Sequence, residues 1–308
     1  CVRKWVGEEF MLDLLIKNGL VIDGSGSPGY QATVLVENER VTVHRGDSSH
    51  IEAARLIDAN GYVVCPGFID LHSHAGLTIL GEPHHDPKVR QGVTTELVGI
   101  DGISHAPFKT QDELHRYIWL DSGLNGYPPM PADWLTVADL LGKYDNTVAI
   151  NIAYILGNAP VRIWGVGWND RPATGAELEN MKSVIRESME DGAFGMSTGL
   201  DYPPGGYAST DELVKLSRQV ADLGGIYHTH VRNRLGDGFL DPFREALEIG
   251  HFHAAIFEPP FIKRRIAHAM LAAQLRRLGL SLSLIQHRND LFLWVPLPSH
   301  EPSFDVQL

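Results

Sequence analysis

The chain has 308 residues, of which 44% are hydrophobic and 21% charged, a composition that excludes a disordered protein and allows a substantial core. Its 26 lysines and arginines against 38 aspartates and glutamates give a formal net charge of −12, so neither nucleic acid nor a membrane is expected as its main partner. The two cysteines, Cys1 and Cys65, are too few for a disulfide framework, and we therefore expect a cytoplasmic location.

Short β runs separated by turns occupy the N-terminal part of the chain. This pattern begins at Met11, and residues 1–10 are expected to be a non-native leader. Apolar, β-prone residues fill 14–22, 33–36 and 40–43, and polar and glycine residues at 23–26 end the first run. The sequence therefore predicts a small β subdomain over residues 11–60.

Strands and helices alternate from Gly61 onward. Two helices are predicted to begin at capping boxes, Thr174-x-x-Glu177 and Ser209-x-x-Glu212, and each ends at a glycine. Strands are predicted at 62–70, 94–99, 147–156, 193–198 and 225–231. Because this order is typical of right-handed βαβ units, residues 61–250 are predicted to form an α/β domain around a parallel sheet.

The first of these strands ends in His72-Ser73-His74. Residues two apart in a strand face the same side, so the two imidazoles should converge. Two imidazoles at the carboxyl end of a strand can supply half of a zinc site. The alternative is a pair of polar strand-end histidines with no ligand.

Two further ligand candidates follow later strands. Asp101 comes just after residues 94–99, where a carboxylate could bridge metals or orient a histidine, although an Asp-Gly turn would give the same pattern. His228-Thr229-His230 ends the fifth strand; the outer residue, His230, is the expected ligand, while His228 could fill the interior. The remaining nearby histidines are expected to be solvated: His84, His85, His105 and His115.

Several stretches of this chain occur together in one known family. Residues 12–250 resemble the D-aminoacylase, or N-acyl-D-amino-acid deacylase, branch of the amidohydrolase superfamily. The stretch 61–74 is shared across the superfamily, whereas its combination with the others is specific to this branch. The other matching stretches are 91–95, 195–199, 202–204 and 225–232.

The resemblance implies a TIM-like (β/α) barrel beside a small β-sandwich, with about five of the eight barrel strands present here. It implies one or two Zn²⁺ ions, with His72 and His74 holding the weaker ion and His230 the tighter one. Asp101 stands where the best-known members carry a bridging cysteine, and Tyr202 matches a tyrosine that contacts the substrate carboxylate. Asn158 departs from the branch, which usually has a histidine at that position.

The implied reaction is hydrolysis of a non-peptide C–N amide bond in an N-acylated amino acid or a related small amide. The general acid–base aspartate of the family would follow Gly250, but residues 251–308 show no matching pattern, so we expect an out-of-frame tail and identify no catalytic residue. One alternative is an inactive, truncated fragment that at most binds metal. Another is a cyclic amidase of the hydantoinase or dihydroorotase kind, which is disfavoured because residues 193–198 contain no metal-bridging lysine.

Overall fold

The computed structural model describes residues 12–38, 40–233, 236–251 and 293–294, which fall into two compact units. One unit contains the described residues up to Gly67 together with 293–294, and the other begins at Phe68. The expected leader, residues 1–10, and nearly all of the expected tail, residues 251–308, lie outside the described residues.

The first unit is a mixed sheet built around its first strand. β1 (Leu12–Val21) pairs antiparallel with β2 (Tyr30–Glu37), which in turn pairs with β3 (Arg40–His44). On its other side β1 pairs in parallel with β4 (Ala53–Asp58) and β5 (Val63–Val64), and Leu293–Trp294 lies antiparallel to β5. Among the described residues these strands form one sheet, whereas the resemblance implies a two-layered sandwich.

All strands of the second unit that the structure describes pair in parallel. They are β6 (Phe68–Ser73), β7 (Val93–Val98), β8 (Asn151–Tyr154), β9 (Leu156–Gly157), β10 (Gly195–Gly199) and β11 (Ile226–His230). β7 lies between β6 and β8, and β10 lies between β9 and β11. Ile155 alone separates β8 from β9, and its N–H donates to the Val98 carbonyl at 2.9 Å. The carboxyl ends of parallel strands meet at one edge of a sheet, where ligands usually bind.

Helices connect these strands and cover them. Those described are α1 (Thr78–Gly81), α2 (Asp86–Val89), α3 (Gln111–Asn125), α4 (Val137–Tyr144), α5 (Asn158–Gly165), α6 (Gly175–Glu190), α7 (Thr210–Asp222) and α8 (Asp241–Gly250). Apolar side chains on their inner faces, including Leu114, Leu140 and Ile185, pack with Val98 and Met196 of the strands in one core. In the part of the chain that the structure covers, no helix has both the length and the apolar character to cross a membrane.

Side-chain caps set the start of the two predicted helices. At α6, Thr174 Oγ1 accepts the N–H of Glu177, and the Glu177 carboxylate accepts the N–H of Thr174 in return. At α7, Ser209 Oγ accepts the N–H of Glu212. Gly192 and Gly224 follow these helices with φ of 118° and 76°, a region that glycine enters without steric cost. Both predicted helix starts are confirmed.

Candidate metal centre

Three of the predicted ligands lie together at the carboxyl ends of β6 and β7. His72 Nε2 is 3.4 Å from Asp101 Oδ2, and His74 Nε2 is 3.3 Å from the same oxygen. One ligand atom from each of the three residues lies within 4.8 Å of the others, close enough to hold a single metal ion. Two imidazoles and a carboxylate are a donor set that zinc accepts.

Asp101 is the buried member of this cluster. Asp101 is 5% exposed, and its Oδ1 has no hydrogen-bond partner among the described residues. Burial raises the pKa of Asp101, but the hydrogen bond from His74 and the nearby histidine charges outweigh it, so the pKa is lowered overall. A buried carboxylate oxygen without a donor is costly unless a cation or water satisfies it. The site is therefore suited to hold a metal ion.

The histidines of the cluster differ in their surroundings. His74 is half-buried, and its hydrogen bond to Asp101 raises its pKa against the opposing effect of burial. His72 is more exposed, and its Nδ1 lies 3.4 Å from His228 Nε2. Burial and the neighbouring charge of His72 lower the pKa of His228.

Close packing of glycines holds the Asp101 loop in place. Asp101 has φ of 55°, and Gly102 follows it with φ of 70°. A Cβ on Gly199 would lie 1.8 Å from the Asp101 carbonyl oxygen, so any other residue there would displace this loop. Asn158 is buried beside it; its Oδ1 accepts the N–H of Gly199 at 3.2 Å and its Nδ2 donates to the Gly205 carbonyl. Asn158, where the related branch usually has a histidine, thus stabilises the backbone around the site through these hydrogen bonds.

The predicted ligand His230 lies at the end of β11 with different partners. Its Nε2 is 3.1 Å from Asp201 Oδ2, and Asp201 is a contact that the sequence patterns did not single out. The ring of Tyr202 lies 5.1 Å from the ring of His230, centroid to centroid. Burial, together with the charges of Asp101 and Asp201, raises the pKa of Tyr202. His230 and Tyr202 therefore form a second polar group beside the first three residues.

Two of the histidines expected to be solvated are buried and paired, so that prediction was wrong for them. His85 Nε2 lies 3.1 Å from Glu96 Oε1, and Glu96 is fully buried in β7. His105 Nε2 lies 2.8 Å from Asp121 Oδ2. Sequence reasoning missed both carboxylates because each acts on a histidine from another element, and no short motif records such a pair.

Comparisons with known proteins agree with this architecture. The model of the amidohydrolase family matches residues 55–288, a range that extends past Gly250, where the sequence resemblance was expected to end. A D-aminoacylase of Alcaligenes xylosoxydans xylosoxydans is 34% identical over 88% of this chain and 56% of its own length. An N-acyl-D-aspartate deacylase of the same organism is 36% identical over 77% of this chain and 47% of its own.

A solved structure of a deacylase is also similar to this chain. The N-acyl-D-glutamate deacylase of Bordetella bronchiseptica, complexed with zinc and a phosphonate inhibitor, superimposes with a TM-score of 0.67 at 33% identity. The alignment covers 78% of this chain and 49% of that one. The chain thus spans about half the length of the relatives it matches. Since the family model covers most of its residues, the chain belongs to the amidohydrolase family.

Proposed function

We propose that this protein is a metal-dependent hydrolase that cleaves the C–N amide bond of N-acyl-D-amino acids. The observation that carries the proposal is the buried Asp101 carboxylate, which faces two convergent imidazoles and keeps one oxygen without a partner among the described residues. Relatives that are 34% and 36% identical act as a D-aminoacylase and an N-acyl-D-aspartate deacylase, which gives the substrate class.

The proposed cofactor is one or two Zn²⁺ ions. His72, His74 and Asp101 would hold one ion, since their donor atoms are already within 4.8 Å of one another. His230 would hold the other, with Asp101 shared between the two positions. Nitrogen and carboxylate donors suit zinc, and the unpartnered Oδ1 of Asp101 gives a second ion an available ligand atom.

Zinc bound in such a site polarises the amide carbonyl and lowers the pKa of its bound water towards about 7. The chain itself supplies position and charge. The Asp101 loop, fixed by Gly199 and Asn158, holds the carboxylate at the strand ends. Tyr202, beside His230, would bind the substrate carboxylate through its hydroxyl. No general acid–base residue is assigned within the described residues.

The wider context of this site is also a proposal. We propose that residues 61–250 contribute about five of the eight strands of the family's (β/α) barrel, and that residues 11–60 belong to its β-sandwich. Small N-acylated amino acids or related amides would be the partners, rather than nucleic acid or membrane. The scarcity of cysteine favours the cytoplasm.

Metal analysis combined with a hydrolysis assay tests the proposal. The purified full chain should contain one or two zinc ions and should release free amino acid from N-acetyl-D-amino acids. N-acetyl-L-amino acids serve as the substrate control, and Asp101→Asn serves as the variant that should lose both zinc and turnover. Zinc without turnover would support the alternative of an inactive, metal-binding fragment. A chain that binds no zinc would contradict both.

A further inference from the structure

We infer that Asn125 and Asp121 are positioning residues that fix the orientation of the His74 imidazole toward the metal. The inference rests on the proposed function, because it concerns the same site. His74 Nδ1 lies 3.2 Å from Asn125 Oδ1, and Asn125 Nδ2 donates to Asp121 Oδ2 at 3.2 Å. His105 Nε2 lies 2.8 Å from that same Asp121 oxygen. These four side chains form a continuous chain that leads from the candidate metal site into α3.

Three of the four side chains of this chain are largely buried, so water competes little for their groups. Asn125 is 5% exposed, and the side chains of His105 and Asp121 are 7% and 9% exposed. Hydrogen bonds of buried groups are held in fixed geometry because an unpaired buried polar atom costs roughly 1–3 kcal/mol. The chain can therefore transmit an orientation to His74.

The direction of each hydrogen bond follows from the Asp121 carboxylate. An ionised carboxylate can only accept, so the amide group of Asn125 that faces Asp121 must be its NH₂. Its carbonyl oxygen must then face His74, and an amide oxygen can only accept. The proton on His74 therefore belongs on Nδ1 when zinc is bound. The other nitrogen, Nε2, which lies 3.3 Å from Asp101 Oδ2, would then keep its lone pair free to bind the metal.

Two members of the chain are also held by hydrogen bonds to their backbone carbonyls. Asn125 is the last residue of α3, and its backbone carbonyl accepts a hydrogen bond from Thr78 Oγ1 at 3.3 Å. The backbone carbonyl of His105 accepts the indole N–H of Trp134 at 2.7 Å. The chain therefore links the residue after β6, α3 and the loop after β7, and of its four members only His74 is a candidate ligand.

Zinc affinity, measured by competition with a chromophoric chelator, tests the inference on the full-length protein. Asn125→Leu removes the acceptor for His74 at similar volume, and we expect its zinc affinity to fall about 10–100-fold, as is typical for outer-shell partners. Ser122→Ala is the matched control on α3, since Ser122 is half-buried and its Oγ donates to the Trp119 carbonyl within the same helix, away from the chain. The control should bind zinc as the parent does.

A reciprocal exchange separates positioning from general stability. Asn125→Asp alone places two carboxylates about 3 Å apart and should weaken zinc binding through their repulsion. Asp121→Asn alone removes the group that dictates which way the Asn125 amide faces. The double variant restores a consistent chain: the carboxylate at position 125 accepts from His74, and the NH₂ at position 121, in the place of the shared Oδ2, donates to that carboxylate and to the Nε2 lone pair of the His105 tautomer that carries its proton on Nδ1. We expect the double variant to bind zinc nearly as the parent does.

The outcomes distinguish this inference from the proposed function. Weak binding in Asn125→Leu, together with rescue in the double variant, supports the chain. Parent-like affinity in Asn125→Leu, or a folded double variant weaker than both single variants, overturns it while the metal site stands. If the parent binds no zinc, or binds it unchanged after His74→Ala, the metal site itself fails and the inference fails with it.

Discussion

Glu96 and Asp101 are both buried carboxylates near the end of β7, but they differ in how many of their oxygens have partners. Glu96, within β7, has both oxygens occupied: Oε1 lies 3.1 Å from His85 and 3.4 Å from Lys88, and Oε2 accepts from Ser73 at 2.7 Å. Asp101, just beyond the strand, has an Oδ1 with no partner among the described residues. The satisfied carboxylate ties elements together, whereas the incompletely satisfied one has capacity for a ligand. An unpartnered oxygen that faces two convergent imidazoles marks Asp101 as the ligand; Glu113 and Asp121 also keep a carboxylate oxygen without a partner among the described residues, but neither belongs to such a cluster there.

Both carboxylates are held ionised, but by different groups. Burial raises the pKa of Glu96, and the hydrogen bonds from His85 and Ser73 more than offset it, so the net effect is a lowered pKa. At Asp101 the same opposing effect of burial is overcome by His74 and by the charges of the candidate ligands. Removing the charge should therefore cost stability at Glu96 and metal binding at Asp101.

Asp101→Asn gives the largest expected effect. Asparagine tolerates the φ of 55° at this position and keeps the volume, so only the charge is lost. We expect zinc affinity to fall more than about 100-fold, beyond the loss typical of outer-shell changes. The unfolding free energy of the metal-free protein should change by less than about 1 kcal/mol. Chelator competition and urea unfolding measure the two quantities. A large stability loss with intact zinc binding in Asp101→Asn would show that Asp101 has the structural role assigned to Glu96.

Gly199→Ala should disturb the Asp101 side of the comparison without altering any site side chain. The new methyl would meet the Asp101 carbonyl oxygen, an immovable backbone atom, so we expect a loss of about 3 kcal/mol together with weaker zinc binding. Gly142→Ala is the control: it lies within α4 with nothing near its Cβ position, and it should stabilise the protein by about 0.4–1 kcal/mol. Equal urea midpoints for the two variants would contradict the packing argument.

Glu96→Gln tests the other carboxylate. Glutamine can still accept from Ser73, but it removes the negative charge that His85 and Lys88 contact. We expect a stability loss of roughly 1–3 kcal/mol at neutral pH. The loss should shrink on acidification, because a carboxyl with a lowered pKa contributes its stability above the unfolded-state pKa and loses it as the pH falls through the folded-state value. A zinc affinity reduced as strongly as in the Asn125 variants would show that Glu96 also serves the site.

The sequence predicted those parts of the molecule that local patterns encode. The capping-box patterns located the starts of α6, where the full box forms, and of α7, where Ser209 caps the helix, and the period of two residues in a strand placed His72 and His74 on one face. Contacts between distant residues were not predictable in this way. His105 meets Asp121 across 16 positions and Asn158 meets Gly205 across 47, and such pairs exist only once the strands and helices are assembled. For this reason the prediction of solvated side chains was wrong for His85 and His105, whereas His84 and His115 are exposed as predicted.

The sequence pattern could not decide whether His228 or His230 is the ligand. Both residues end β11, and periodicity alone puts them on the same face. The structure adds that His228 lies beside His72 and His230 beside Asp201. The assignment of His230 as a ligand rests on its outer position in the strand and on the resemblance, and it stays a prediction. Zinc titration of His228→Gln and His230→Gln would decide it.

The smallest expected effect comes from a third carboxylate, Glu177 in the α6 capping box. Its hydrogen bonds from Arg171 and from the Thr174 backbone lower its pKa to about 2. The stability that it provides is present above its ordinary pKa of 4.5 and is lost as the pH falls from 4.5 to about 2. Glu177→Gln should therefore flatten the curve of unfolding free energy against pH in that window, and Glu179→Gln, two residues on and paired with Lys182 at the surface, should leave its shape unchanged.

Thr174→Ala removes the reciprocal bond of the same box and should cost about 1 kcal/mol, measured by urea unfolding at neutral pH. This variant destabilises the fold without touching any group that leads to the strand ends, so its zinc affinity should equal that of the parent. If zinc binding weakened in proportion to this loss, affinity would simply report overall stability. The contrast between Asp101 and Glu96 would then describe one property of the protein instead of two.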